Sequence, residues 1–217
     1  MRIISIISLK GGVAKTTTSI NMAYILCKMG HRVLLIDNDK QGNASKTFGL
    51  YSPEDKDTIA RVMLERKPGI REIIKQTAYS EQMPGALDVV TANMDLLEAN
   101  LRTIVDTGRQ QQTRFKKALE PVMHEYDFCI IDNAPDINMS IINALVVSDD
   151  VIVPIMIDQY SFDGLEILTE QIERVKEDFN PDLVFRGCLV TQYRKSEVQE
   201  QGADILLRKR KRQDLKR

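Results

Sequence analysis

The sequence is poor in the side chains that build metal clusters and disulfide frameworks, with three cysteines and two histidines in 217 residues. Cys27, Cys129 and Cys188 lie far apart inside apolar segments, without the close spacing of a zinc or iron–sulfur site. They are expected to be reduced core thiols of a cytoplasmic protein. His31 and His124 are isolated, and neither is given a role. The chain also lacks an apolar run long enough to span a bilayer. Its first apolar run, residues 3–9, is short and interrupted by Ser5 and Ser8. It leads into a glycine pair rather than a cleavage site, which argues against a signal peptide. Linkers, internal repeats and low-complexity tracts are missing before the last dozen residues. With 43% hydrophobic residues, a chain of this length is expected to bury a sizeable core in one domain.

Net charge is almost absent too, at −1, but it is unevenly spread. Residues 206–217 hold seven Lys/Arg and one Asp, a net of +6, which leaves −7 for the rest. Such a block can engage nucleic acid or an anionic membrane surface, although many such blocks are simply solvated tails. DNA is the better match here. A membrane-surface helix needs a broad apolar face, and after Leu207 only Leu215 is large and apolar.

What the sequence does contain is a phosphate-binding pattern. Lys10-Gly11-Gly12-Val13-Ala14-Lys15-Thr16-Thr17 follows a predicted strand at residues 2–7 and opens a predicted helix at residues 15–29. Such a turn aims backbone N–H groups at an anion, and the helix adds the positive end of its dipole. Lys15 can reach phosphates, and the Thr16 hydroxyl can ligate Mg²⁺. The strict phosphate-loop pattern would place glycine at positions 9 and 14, where this chain has Leu9 and Ala14. Two further apolar runs, residues 33–36 and 128–131, each end in a carboxylate, at Asp37 and Asp132. In a parallel sheet buried on both faces, ligands bind beyond the carboxyl ends of such strands. Asp37, Asp39 and Asp132 should therefore gather beside the loop. Taken singly, each is as well explained as a turn or cap residue. Together, acids facing phosphates call for a cation between them, and Mg²⁺ held by few protein ligands is the natural one.

The loop resembles the deviant Walker A box, KGGxxK[ST]T, of the ParA/MinD group of ATPases. The stretch Asp37-Asn38-Asp39-Lys40-Gln41-Gly42-Asn43 is similar to the ParA box DxDPQGN, with Lys40 in place of proline. Ile131-Asp132-Asn133-Ala134-Pro135 resembles the Walker B strand with its DxxP ending. The resemblance implies an α/β fold with a mostly parallel twisted sheet and helices on both faces. It also implies ATP/ADP and Mg²⁺ as ligands. The phosphate contacts would come from Lys10, Gly11, Gly12, Val13, Ala14, Lys15, Thr16 and Thr17. Thr16 would ligate the metal, Asp132 would hold it through water, and Asp37 would support its shell. Asp39 would position the attacking water, and Lys15 would bind the β/γ phosphates. Lys10 would cross a dimer interface to the partner's nucleotide, so Lys10→Ala should spare nucleotide binding but abolish hydrolysis and dimerisation. The implied function is DNA partition. An ATP-bound homodimer would bind DNA without sequence preference, and a ParB-type centromere-binding protein would stimulate hydrolysis. The implied location is cytoplasmic and nucleoid-associated. A MinD-like membrane-positioning ATPase and a truncated relative with weak or no turnover are the alternatives.

The remaining chain should alternate strands and helices. Helices are predicted at residues 57–66, 69–77, 95–105, 110–125, 138–147 and 161–179, and strands at 87–91, 151–155 and 184–190. Leu96, Leu97, Leu101 and Ile104 are expected on one face of the third of these helices. The loop at residues 158–165 is similar to one that enters a helix at the family's dimer face, and equally fits an ordinary loop capped by Ser161. Residues 1–192 are expected to form the ATPase domain, and residues 193–217 a helical basic extension shorter than in the family. Thr191 and Gln192 are candidates for base contacts by position.

Overall fold

A computed structural model describes residues 1–157, 161–195, 199–202 and 204. The basic block at 206–217 and most of the loop entering the helix at 161 lie outside the described residues. In chain order the elements begin β1 (Arg2–Ile6), α1 (Lys15–Lys28), β2 (Arg32–Asn38), α2 (Asn43–Thr47), α3 (Ile59–Leu64), α4 (Ile70–Ile73), β3 (Ile74–Gln76) and β4 (Ala86–Val90). They continue with α5 (Asp95–Val105), α6 (Arg114–Leu119), β5 (Phe128–Asn133), α7 (Met139–Val147), β6 (Asp150–Ile155), α8 (Ser161–Asp178) and β7 (Val184–Val190). Seven strands form one sheet in the order β3-β4-β2-β5-β1-β6-β7. Every neighbouring pair is parallel except β3 with β4.

The central strands are apolar on both sides because both sides are covered. In β2, Val33 and Leu35 face one layer with Ala23 and Cys27 of α1. Leu34 and Ile36 face the other, with Ile59 of α3, Leu96 of α5, Phe115 of α6 and Ala144 of α7. A third cluster packs α7 and α8 on β6 through Leu145, Val151, Val153, Leu168 and Ile172. The expected α/β architecture is therefore present. Cys27 and Cys129 are buried, and all three thiols are free.

Four expectations fail, three of them for a tertiary reason. The helix predicted at 69–77 stops after Ile73, and Ile74–Gln76 becomes a short antiparallel edge strand on β4. An open sheet edge offers unpaired backbone groups, and this three-residue strand with a lysine at its centre makes that edge short and charged. The helix predicted at 110–125 begins only at Arg114, because Asn143 Oδ1 of α7 accepts the backbone N–H groups of Arg114 (2.7 Å) and Phe115 (3.2 Å). It tightens into a 3-10 turn at Glu120–Val122, which contains Pro121. Helix α5 is where it was predicted, but its buried face is Leu96, Ala99, Asn100 and Thr103. Leu97, Leu101 and Ile104 point into solvent. The buried Asn100 is satisfied, accepting from Ser140 N at 2.7 Å and donating to Leu96 O at 2.9 Å. The helix predicted at 57–66 is likewise trimmed to Ile59–Leu64.

Candidate functional site

Strands β1, β2 and β5 lie side by side, and their carboxyl ends fix the site. In the β2–β5 ladder Asp37 is the direct partner of Asp132, and Asn38 of Asn133. The loop leaving β1 passes over these ends. Gly12 has φ +74° and Ala14 φ +62°, both in the left-handed region. An added Cβ on Gly11 or Gly12 would meet nothing within 4 Å, so the loop rims open space. Glycine suits Gly12 because of its backbone angle, whereas Ala14 holds the same region at a cost of about 1 kcal/mol.

Lys15 opens α1 and is buried. Its Nζ donates to the carbonyl of Lys10 at 3.0 Å, across its own loop. Burial lowers its pKa, and the nearby charges of Asp132, Asp39 and Asp136 oppose that shift. Asp132 Oδ1 accepts from the Ser19 hydroxyl at 2.9 Å. Burial pushes its carboxyl up to about 6, against the pull of hydrogen bonds from Thr16 and Ser19. Its other oxygen, Oδ2, is buried without a partner. A buried carboxylate oxygen left unpaired is costly, so this atom is where a cation or an ordered water fits best. The hard-oxygen pair of Thr16 and Asp132 suits Mg²⁺, which usually keeps several waters and few protein ligands. Among the described residues, no group of three or more His, Cys, Asp or Glu forms an all-protein metal cage.

Asp37 has a different situation. Its Oδ2 accepts from Ser45 N (2.8 Å) and Ser45 Oγ (2.7 Å), and its Oδ1 accepts from Asp39 N (3.2 Å). Burial, then the charge of Asp132, pushes it up to about 7. Both oxygens thus fasten the loop that carries Asp39. Asp39 is partly exposed, and its Oδ1 accepts from Gln41 N at 2.9 Å in a turn. Lys10, Lys15, Thr16, Asp37, Asp39 and Asp132 are therefore brought to the carboxyl end of the sheet's central strands.

Several members were not legible as site residues. Ser19 lies one helical turn after Lys15, and Ser45 lies eight residues after Asp37. Either could be suspected from those offsets. Asp136 lies close enough to influence Lys15, and Lys40 Nζ reaches Asp136 Oδ2 at 3.5 Å, joining the two acidic loops. Asn38 Nδ2 donates to Asn133 Oδ1 at 2.8 Å between buried strand ends. Thr191 and Gln192, expected near the base, are spent on the loop itself. Thr191 Oγ1 donates to Val13 O (3.0 Å) and Gln192 Nε2 to Gly12 O (2.6 Å). A mostly apolar hollow of about 240 Å³, lined by Leu9, Lys10, Val13, Ile155, Leu165 and Leu168 among others, lies beside the loop.

A glycine-rich loop after the first strand, a buried lysine opening the helix and acids at two neighbouring strand ends define a P-loop nucleotide-binding α/β protein. A family profile described as an AAA domain matches residues 1–185. The chain is 38% identical over 192 residues to the chromosome partitioning protein ParA of Myxococcus xanthus, covering 88% of this chain and 65% of that protein. It is 36% identical over 190 residues to the sporulation initiation inhibitor protein Soj of Bacillus subtilis, covering 88% and 72%. A plasmid partition protein from Borrelia burgdorferi superposes with a TM-score of 0.79 at 25% identity, over 94% of this chain and 84% of the other. Cobyrinic acid a,c-diamide synthase from Mycobacterium smegmatis, with a bound ATP analogue and magnesium, superposes with a TM-score of 0.83 at 29% identity, over 95% and 80%. The chain belongs to the ParA/Soj family of P-loop ATPases.

No described helix is long and apolar enough to cross a membrane.

Proposed function

We propose that this chain binds ATP with Mg²⁺ at the loop after β1 and hydrolyses it slowly, until a ParB-type partner stimulates turnover. The residues from Lys10 to Thr17 would wrap the phosphates. Lys15 would exchange the Lys10 carbonyl for the β/γ oxygens. Thr16 directly, and Asp132 through water, would hold the ion, which when bound supplies charge neutralisation. Asp37 would support that shell by fixing the Asp39 loop, and Asp39 would orient a water for attack. Lys10 would reach the nucleotide of a second subunit, making an ATP-dependent homodimer. The dimer would bind DNA through its backbone, in the cytoplasm and on the nucleoid.

One observation carries the nucleotide reading. The buried Asp132 Oδ2 lacks a partner beside a buried lysine and a helix-opening threonine. The partition reading is supported by relatives named chromosome partitioning protein and plasmid partition protein. The test is ATP turnover with and without Mg²⁺, joined to DNA binding with ATP, with ADP and without nucleotide at low and high salt. The expected result is Mg²⁺-dependent turnover and DNA binding that needs ATP and falls steeply with salt. Nucleotide-independent or salt-insensitive DNA binding would overturn the partition reading, and absent turnover would overturn the enzymatic one.

A further inference from the structure

Helix α5 carries two apolar faces, and only one is used by the core. Met94, Leu97, Leu101, Ile104 and Val105 recur at helical spacing on the outer side and are between 44% and 75% exposed. Together they make an apolar patch on the order of 400 Å², the size of the largest patch a monomer usually leaves in water, which is often functional. One border of the stripe is charged, with Glu98 and Arg102 paired at 2.6 Å one turn apart.

We propose that this face is a contact between two copies of the chain, with α5 packed antiparallel on its own symmetry mate. The argument is self-complementarity. A two-fold axis between antiparallel helices keeps the charged border of both copies on the same side. With the axis near the middle of the helix, Glu98 of one copy lies level with Arg102 of the other, and Leu101 of each sits near the centre. The two helix dipoles also oppose each other favourably in this arrangement. A parallel two-fold pairing would instead put the two charged borders on opposite sides of the contact, with no partner charge across it. Two such patches with their borders bury about 1,000 Å², the lower limit for specific association, so the contact should be weak and reversible. It lies on the flank of the sheet rather than on the phosphate loop, so it needs no nucleotide. Combined with nucleotide-dependent pairing through the loop, it would join dimers into longer assemblies.

The test is sedimentation of the full chain without nucleotide, over a wide range of protein concentration. A reversible monomer–dimer equilibrium is expected. Leu101→Glu should weaken it at least about tenfold, because it places a charge at the centre of the contact. Circular dichroism and ATP turnover of the same variant will confirm that it is folded. Glu98→Arg and Arg102→Glu should each weaken self-association, and an equimolar mixture of the two should restore it, since each supplies the charge that the other lacks. A wild-type chain monomeric at every concentration, a Leu101→Glu variant that associates normally, or a mixture no better than its components would overturn the proposal.

Discussion

Two buried aspartates on strands flanking β1 have opposite surroundings. Asp150 opens β6 at one end of the sheet and is 3% exposed. Asp132 ends β5 at the other and is 1% exposed. Asp150 comes with its own cations, since Arg2 Nε reaches one oxygen at 2.5 Å and Arg186 Nε the other. Burial alone would raise its pKa, but the hydrogen bonds from Arg2 and Arg186 outweigh it and hold the carboxyl below its ordinary value. Asp132 accepts from hydroxyls rather than cations, its Oδ2 is buried without a partner, and its pKa is raised to about 6. Asp150 is neutralised within the chain, whereas Asp132, in the role proposed for it, would leave part of its neutralisation to a bound ion.

The sharpest break of this contrast is functional. Asp132→Asn should reduce Mg²⁺-dependent ATP turnover by about a thousandfold, as removal of a preorganised charge contact does. Asp150→Asn should leave turnover within about twofold. A steady-state phosphate-release assay on both variants decides it. The next effect is on stability. Asp150→Ala removes the anion between two arginines and should cost about 2 kcal/mol, measured by urea unfolding without ligand. Asp132→Asn should be neutral or stabilising in the same assay, since it removes a buried charge.

Their pH dependences should run in opposite senses. The Asp132 pKa is raised from 3.8 to about 6 on folding, so its contribution is fully present below pH 3.8 and is lost as pH rises through about 6. The Asp150 pKa is lowered, so its contribution is present above pH 3.8 and is lost as pH falls below that value. Unfolding of wild type and each variant between pH 3 and 8, without Mg²⁺ or nucleotide, measures both slopes. The smallest expected effect is at Ala14, whose left-handed φ of +62° favours glycine. Ala14→Gly should stabilise the chain by about 0.5 kcal/mol, read from thermal unfolding.

The loop and the acidic strand ends were legible because each is a local pattern. An apolar run ending in Asp37 or Asp132 states both the strand and which end carries the chemistry. The order of strands was not legible, so nothing in the sequence said that Asp37 and Asp132 would be direct partners. Nor did it say that Asp37 would spend both oxygens on Ser45 and Asp39. The error on α5 has the same origin. Its stripe of Leu97, Leu101 and Ile104 is a valid amphipathic pattern, but the core took the adjacent face, where Asn100 accepts from Ser140 of α7 and Thr103 accepts from Arg114 of α6. Ile74–Gln76 carries no signal for an edge strand beyond the β-branched Ile74. The free edge of β4 made it one.

Periodicity and box spacing alone determined the alternation of strands and helices, the phosphate loop, and the identity of the acids beside it, because these depend on neighbours along the chain. Which acid stands unpaired, which face of a helix is left in water, and which lysine bridges two loops depended on groups dozens of residues away. Those contacts exist only once the sheet is assembled, so tertiary structure alone could decide them.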